Sequence, residues 1–155
     1  MKFKVMTKII ALLLVAGSVA VTLLLSPGAA SVSASSARRG DLLVTKECSA
    51  YTGLAGSFCT ITSSNLAAIV VGSKVFYDQA AGVPAGLLDS NVVLDAGNGN
   101  RAVGRCTLDL SNGLGICTFS DGTGQFTGFK ARVNVDCRSG CRWDGTYSFS
   151  PEADR

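Results

Sequence analysis

The chain contains no histidine, and this removes most nucleophilic mechanisms at the outset. A Ser-His-Asp or Cys-His arrangement has no base to build on. Ser57, Ser73 and Ser120 have no matched base nearby in sequence and read as structural hydroxyls. A lysine base is conceivable at Lys46, Lys74 or Lys130, although lysines on β-prone runs are normally solvated strand faces. Asp41, Asp78, Asp89, Asp95, Asp109 and Asp121 could supply carboxylates, but nothing in their order singles out a matched acid–base pair, which disfavours a hydrolase. No catalytic set is assigned.

Metal and phosphate chemistry are equally poorly supplied. The cysteines lack the paired short spacings of a zinc site. The segment 95–100 (DAGNGN) has the small and polar residues of a calcium loop but lacks its further carboxylates, so it reads as a hairpin loop. Gly122-x-Gly124-x-x-x-Gly128 is followed by a β-prone run. A phosphate cradle needs a helix N-terminus there, so this is a turn entering a strand. No metal and no cofactor is expected. What remains is aromatic: Trp143, Tyr147, Tyr77 and Phe129. On one interior face they would line an apolar ligand pocket with an indole N–H and phenols as polar handles; the plainer alternative is that they fill a core.

The elements that would carry these side chains are strands. Short β-prone runs punctuated by 18 glycines, with no sustained 3.6-residue apolar period, predict an all-β domain. Strands are expected over 41–48, 58–62, 68–79, 91–95, 101–110, 115–120, 128–137 and 141–149. The sharpest signal is Cys137-Arg138-Ser139-Gly140-Cys141, a three-residue hairpin loop with glycine at its left-handed position. Folding about it pairs Cys137 with Cys141, Val135 with Trp143, Val133 with Gly145, Ala131 with Tyr147 and Phe129 with Phe149, all on one face. The other face opposes Asp136 to Arg142 and Asn134 to Asp144. The same arithmetic about the turns at 110–113 and 52–56 brings Cys106 opposite Cys117 and Cys48 opposite Cys59. Three local disulfides are therefore expected: Cys48–Cys59, Cys106–Cys117 and Cys137–Cys141.

Disulfides require an oxidising compartment. Lys2, Lys4 and Lys8 precede an apolar run over 9–25, and Ser26, Pro27 and Gly28 break it before Val32-Ser33-Ala34. This is the layout of a secretory signal over 1–34, cleaved after Ala34; an uncleaved N-terminal anchor is the alternative reading of the same run. A flexible leader over 35–40, one domain over 41–150 and a tail over 151–155 complete the organisation, secreted and free of the membrane once cleaved. The chain's excess of positive charge consists of the three signal lysines. The remaining Lys and Arg balance the 11 Asp and Glu, which leaves no basic field for nucleic acid.

Two stretches carry a resemblance. Gly40-Asp41-Leu42 opens the first strand; Phe119-Ser120-Asp121-Gly122-Thr123-Gly124-Gln125-Phe126-Thr127-Gly128-Phe129 leads into the final hairpin, which ends Trp143-Asp144-Gly145-Thr146-Tyr147-Ser148-Phe149. This order resembles the allene oxide cyclase and dirigent barrel superfamily, and more closely its bacterial secreted members. The resemblance implies a closed antiparallel eight-stranded β-barrel, often trimeric, with an apolar cavity and cofactor-free cyclase, isomerase or stereo-guiding chemistry. The acidic and charged cavity residues of the plant members are not placed residue by residue here, where Glu47 and Glu152 are the only glutamates, so the resemblance carries the fold and not a catalytic residue. The expected function is binding of a small apolar or amphipathic ligand in the cavity. The alternative is a non-catalytic secreted or envelope-associated protein acting through its outer surface or oligomer, with Leu114 and Ile116 seeding a patch. A weaker third option is an effector working through the 80–90 loop.

Overall fold

Period-two alternation of apolar and polar side chains runs through the computed structural model, which describes residues 38–150. The expected signal and tail lie outside the described residues. Eight strands follow in order: β1 (Arg39–Glu47), β2 (Phe58–Ser64), β3 (Lys74–Tyr77), β4 (Leu87–Asp95), β5 (Arg101–Asp109), β6 (Leu114–Thr123), β7 (Phe129–Asp136) and β8 (Cys141–Phe149). Each pairs antiparallel with its neighbour, and β1 pairs with β8, so the sheet closes into a barrel with no free edge. The connections of this meander alternate between two ends. Loops 48–57, 78–86, 110–113 and 137–140 share one end; loops 65–73, 96–100 and 124–128 share the other.

The C-terminal hairpin has the expected register, Phe129↔Phe149 through Asp136↔Arg142. All three expected disulfides form. Because each bridges residues flanking one turn, all three fall at the first end, which we call the disulfide end. Residues 95–100 form the expected hairpin loop, with Asp95 accepting from the Gly97 amide and Arg101 Nε. The glycine-rich stretch is a 3-10 turn, Gly124–Phe126, entering β7.

Several strand limits differ from expectation, β6 for one running on to Thr123. β1 begins at Arg39, inside the expected leader, because Arg39 and Gly40 pair with Ser148 and Tyr147. The long strand expected over 68–79 is only Lys74–Tyr77. A turn (Ile69 N–H to Leu66 C=O, Ser73 N–H to Val70 C=O) folds Leu66 and Ile69 into the core and leaves Val71 69% exposed. β4 begins at Leu87 rather than 91, since pairing with β5 continues to Leu87↔Asp109 and buries Leu88 and Ser90. The last four residues of the expected 80–90 loop, 87–90, are therefore strand.

Aromatic side chains fill the barrel from its middle to the end opposite the disulfides. Trp143 packs on Phe119 at 5.4 Å between ring centroids, Phe119 on Phe129, and Phe129 on Phe126 and Phe149. Phe126, fully buried on its 3-10 turn, plugs that end. Gly122 permits this: a Cβ there would strike the Phe126 Cβ and the Arg101 carbonyl.

Candidate functional site at the disulfide end

β1 places Leu42, Val44 and Lys46 on its inner face, two residues apart and in phase. The first two are core residues. The third is a lysine that keeps only 5% of its surface exposed. A bulge in the β1–β2 ladder falls between Thr45 and Lys46, where Thr62 has no partner on β1 and Lys46 pairs with Ile61. Bulges re-aim the side chains beside them. On its other side Lys46 pairs with Cys141, next to Trp143.

Burial forces the ammonium group to find partners. Lys46 Nζ donates to Tyr77 Oη at 2.6 Å and lies 4.7 Å from the centroid of the Trp143 ring. Tyr77 comes from the end of β3, held in place by the Tyr77 N–H to Ser57 C=O bond and the Gly56 N–H to Tyr77 C=O bond. Tyr51, in loop 48–57, packs edge-on against Tyr77 at 5.2 Å. Desolvation pushes the Lys46 ammonium down to about 7 and pushes the Tyr77 phenol up. Burial also raises the Tyr51 phenol. At neutral pH the site therefore holds a substantial fraction of free amine beside two protonated phenols.

These groups face a cavity of about 120 Å³, walled by Leu88, Leu108, Val135 and the sulfurs of all three disulfides. No carboxylate lines it. Glu47 is exposed, and Asp136, on the outer side, is paired with Arg138 and Arg142. Among the described residues, Tyr51 Oη, Trp143 Nε1 and, on β4, Asp89 Oδ1 are buried without a hydrogen-bond partner; such atoms are rare in folded proteins.

Of the four aromatic residues expected to bind ligand, Tyr77 lines this cavity and Trp143 lies against Lys46 at its base. Phe129 is fully buried in the aromatic column and Tyr147 is half-buried near the opposite end, stacked on Phe129 and set against Gly40. Neither reaches the cavity. Lys46, read from sequence as a solvated base at best, is the polar centre of the site. Its phase with Leu42 and Val44 was the available signal. Among the described residues no group of three or more His, Cys, Asp or Glu is placed to hold a metal ion, and no helix is long and apolar enough to cross a membrane.

The fold and site define a class: a closed, up-and-down, eight-stranded antiparallel barrel, stapled by three local disulfides around a small interior cavity that holds a buried lysine–tyrosine pair. No protein-family model, curated protein or solved structure matches this chain.

Proposed function

We propose that this is an exported barrel, of the allene oxide cyclase and dirigent-like kind, that binds a small amphipathic molecule at the disulfide end of its interior. The observation that carries the reading is the Lys46–Tyr77 pair, bonded at 2.6 Å inside an otherwise apolar cavity. Burying an amine costs free energy that a leucine there would not cost. A ligand with an oxygen acceptor recovers part of that cost by bonding Lys46, Tyr77 or the unpartnered Tyr51 hydroxyl. Size limits the ligand. A cavity near 150 Å³ takes about one benzene, and the aromatic column blocks the rest of the barrel, so a whole fatty-acyl chain has no room. Any catalysis would be cofactor-free, through confinement and proton transfer at Lys46 and Tyr77.

Trp143 is the only tryptophan, which supplies the test. Titration of the secreted protein with cyclopentanol is expected to saturate a change in tryptophan fluorescence that is lost in Lys46→Met; a long-chain fatty acid should give no such change. A linear, unsaturable response to cyclopentanol would sink the reading.

A second reading rests on the outer surface. Leu87, Leu110 and Leu114 are 37%, 45% and 40% exposed at the disulfide end, and the register sets Leu87 and Leu114 on either side of Asp109. Ile116 is half-buried. This is where subunits of a trimer, or another protein, would meet a non-catalytic barrel; a monomer by native mass spectrometry removes the trimer.

A further inference from the structure

Resting on the cavity reading above, we propose that Lys46 is a carbonyl-reactive amine that condenses with a small aldehyde or ketone entering the disulfide end, forming an imine, with Tyr77 as its proton shuttle. Three features of geometry carry this. The amine has no carboxylate partner in the cavity, so no ion pair holds it as ammonium. A phenol stands at hydrogen-bond distance from the reacting nitrogen. The space beside them is apolar and of the right size for a carbonyl compound of few heavy atoms, and it is bordered by the half-buried Cys48, Tyr51 and Cys137.

The chemistry balances without a cofactor. The Nζ lone pair attacks the carbonyl carbon, and the C=O π pair moves to oxygen. The proton shed by nitrogen passes through Tyr77 Oη to that oxygen, giving a carbinolamine. Loss of the hydroxyl as water, its proton again relayed by Tyr77, leaves the C=N bond. Amine and carbonyl give imine and one water, with no change of oxidation state. Burial favours the neutral amine that this step needs, whereas an ordinary lysine is overwhelmingly ammonium at neutral pH. Water loss is also favoured where solvent is scarce.

The test is reductive trapping. Secreted protein with its disulfides intact is incubated near neutral pH with cyclopentanone, no larger than benzene in heavy atoms, and sodium cyanoborohydride, then followed by intact mass and peptide mapping. The expected result is one cyclopentyl group on Lys46, formed at least about tenfold faster than on the exposed Lys74 and Lys130, with any label on the N-terminal α-amine mapped separately. Tyr77→Phe should slow the Lys46 adduct by about tenfold or more; an unchanged rate would remove Tyr77 from the mechanism. Equal labelling of all three lysines, or none at Lys46, overturns the proposal. Cyclopentanol separates the two readings, being of similar bulk without a carbonyl. If it binds while cyclopentanone leaves Lys46 unmodified, the imine chemistry fails and the cavity stands. If neither engages, both fail.

Discussion

Lys46 Nζ lies 4.7 Å from the centroid of the Trp143 indole, a cation–π distance, in a barrel interior with no carboxylate beside it. The ring face attracts the charged form by about 2 kcal/mol when desolvated. Removal from water opposes it, and this desolvation lowers the ammonium to about 7. The lone tryptophan and the one buried lysine among the described residues are thereby coupled.

That coupling is directly observable. Protonation places a positive charge over the only fluorophore of its kind in the chain, so tryptophan emission should change with pH with a midpoint near 7. Lys46→Met should abolish the transition. A flat profile between pH 6 and 9 in the unsubstituted protein would falsify the assignment of a depressed lysine.

The same group sets a stability slope. Its folded value, about 7, lies below the ordinary 10.5, so between these limits the unfolded chain binds more protons than the folded one. Stability contributed by this site therefore rises with pH from about 7 to about 10.5 and is lowest below 7. Tyr77 and Tyr51, both raised, stay protonated over most of this window. Urea denaturation across it should show a rising midpoint for the unsubstituted protein. Lys46→Met should be flatter, and more stable at pH 6.5 by a few kcal/mol.

Disulfide removal should grade with loop length. Cys106 and Cys117 are 11 residues apart, Cys137 and Cys141 only 4. The chain-entropy argument gives about 3 kcal/mol for the longer loop and less for the shorter. Replacing each pair by alanines and comparing denaturation midpoints measures the order. Removing 106–117 also changes two residues of the cavity wall, so cyclopentanol affinity should fall with it.

Gly145 should resist substitution although it lies within a strand. A Cβ there would meet the Arg132 carbonyl and the Val133 Cα, both backbone atoms that cannot swing aside. Gly145→Ala is expected to cost about 1–3 kcal/mol by overpacking, read as a lower melting temperature. Gly56→Ala, where a Cβ meets nothing, should lose less, and only through its φ of +83°.

The hairpin tip should be acid-sensitive locally. Asp136 accepts from the Arg138 amide and from the Arg138 and Arg142 guanidiniums. Bonding to Arg138 first, then its charge, holds the carboxyl well below the usual carboxylate range. Its contribution is present above about pH 4 and is lost as acid protonates the folded carboxyl. Asp136→Asn should speed amide exchange at Arg138 while barely moving the global melting temperature, since the pairs are exposed.

Local rules were enough to read the β7–β8 ribbon, the closed barrel's strand character and the three disulfides. Period-two alternation assigns faces, and short turns with glycine at the required position assign registers; neither needs distant contacts. Trp143 and Tyr77 were legible as interior for the same reason. What alternation does not specify is height along the barrel axis. Phe129, Tyr147, Trp143 and Tyr77 all point inward, yet only closure of β1 against β8 and the stagger of the strands decide that Tyr77 stands beside Lys46 while Phe129 and Tyr147 sit near the far end. Lys46 itself reads in sequence as a solvated strand residue, because lysine favours water. Its neighbours Leu42 and Val44 share its face, and once the sheet closed, the pleat held it inside against that preference. Strand limits at β3 and β4 likewise followed from pairing, because hydrogen-bonding partners on adjacent strands, not the intrinsic preference of 68–71 or 87–90, determine where a ladder stops.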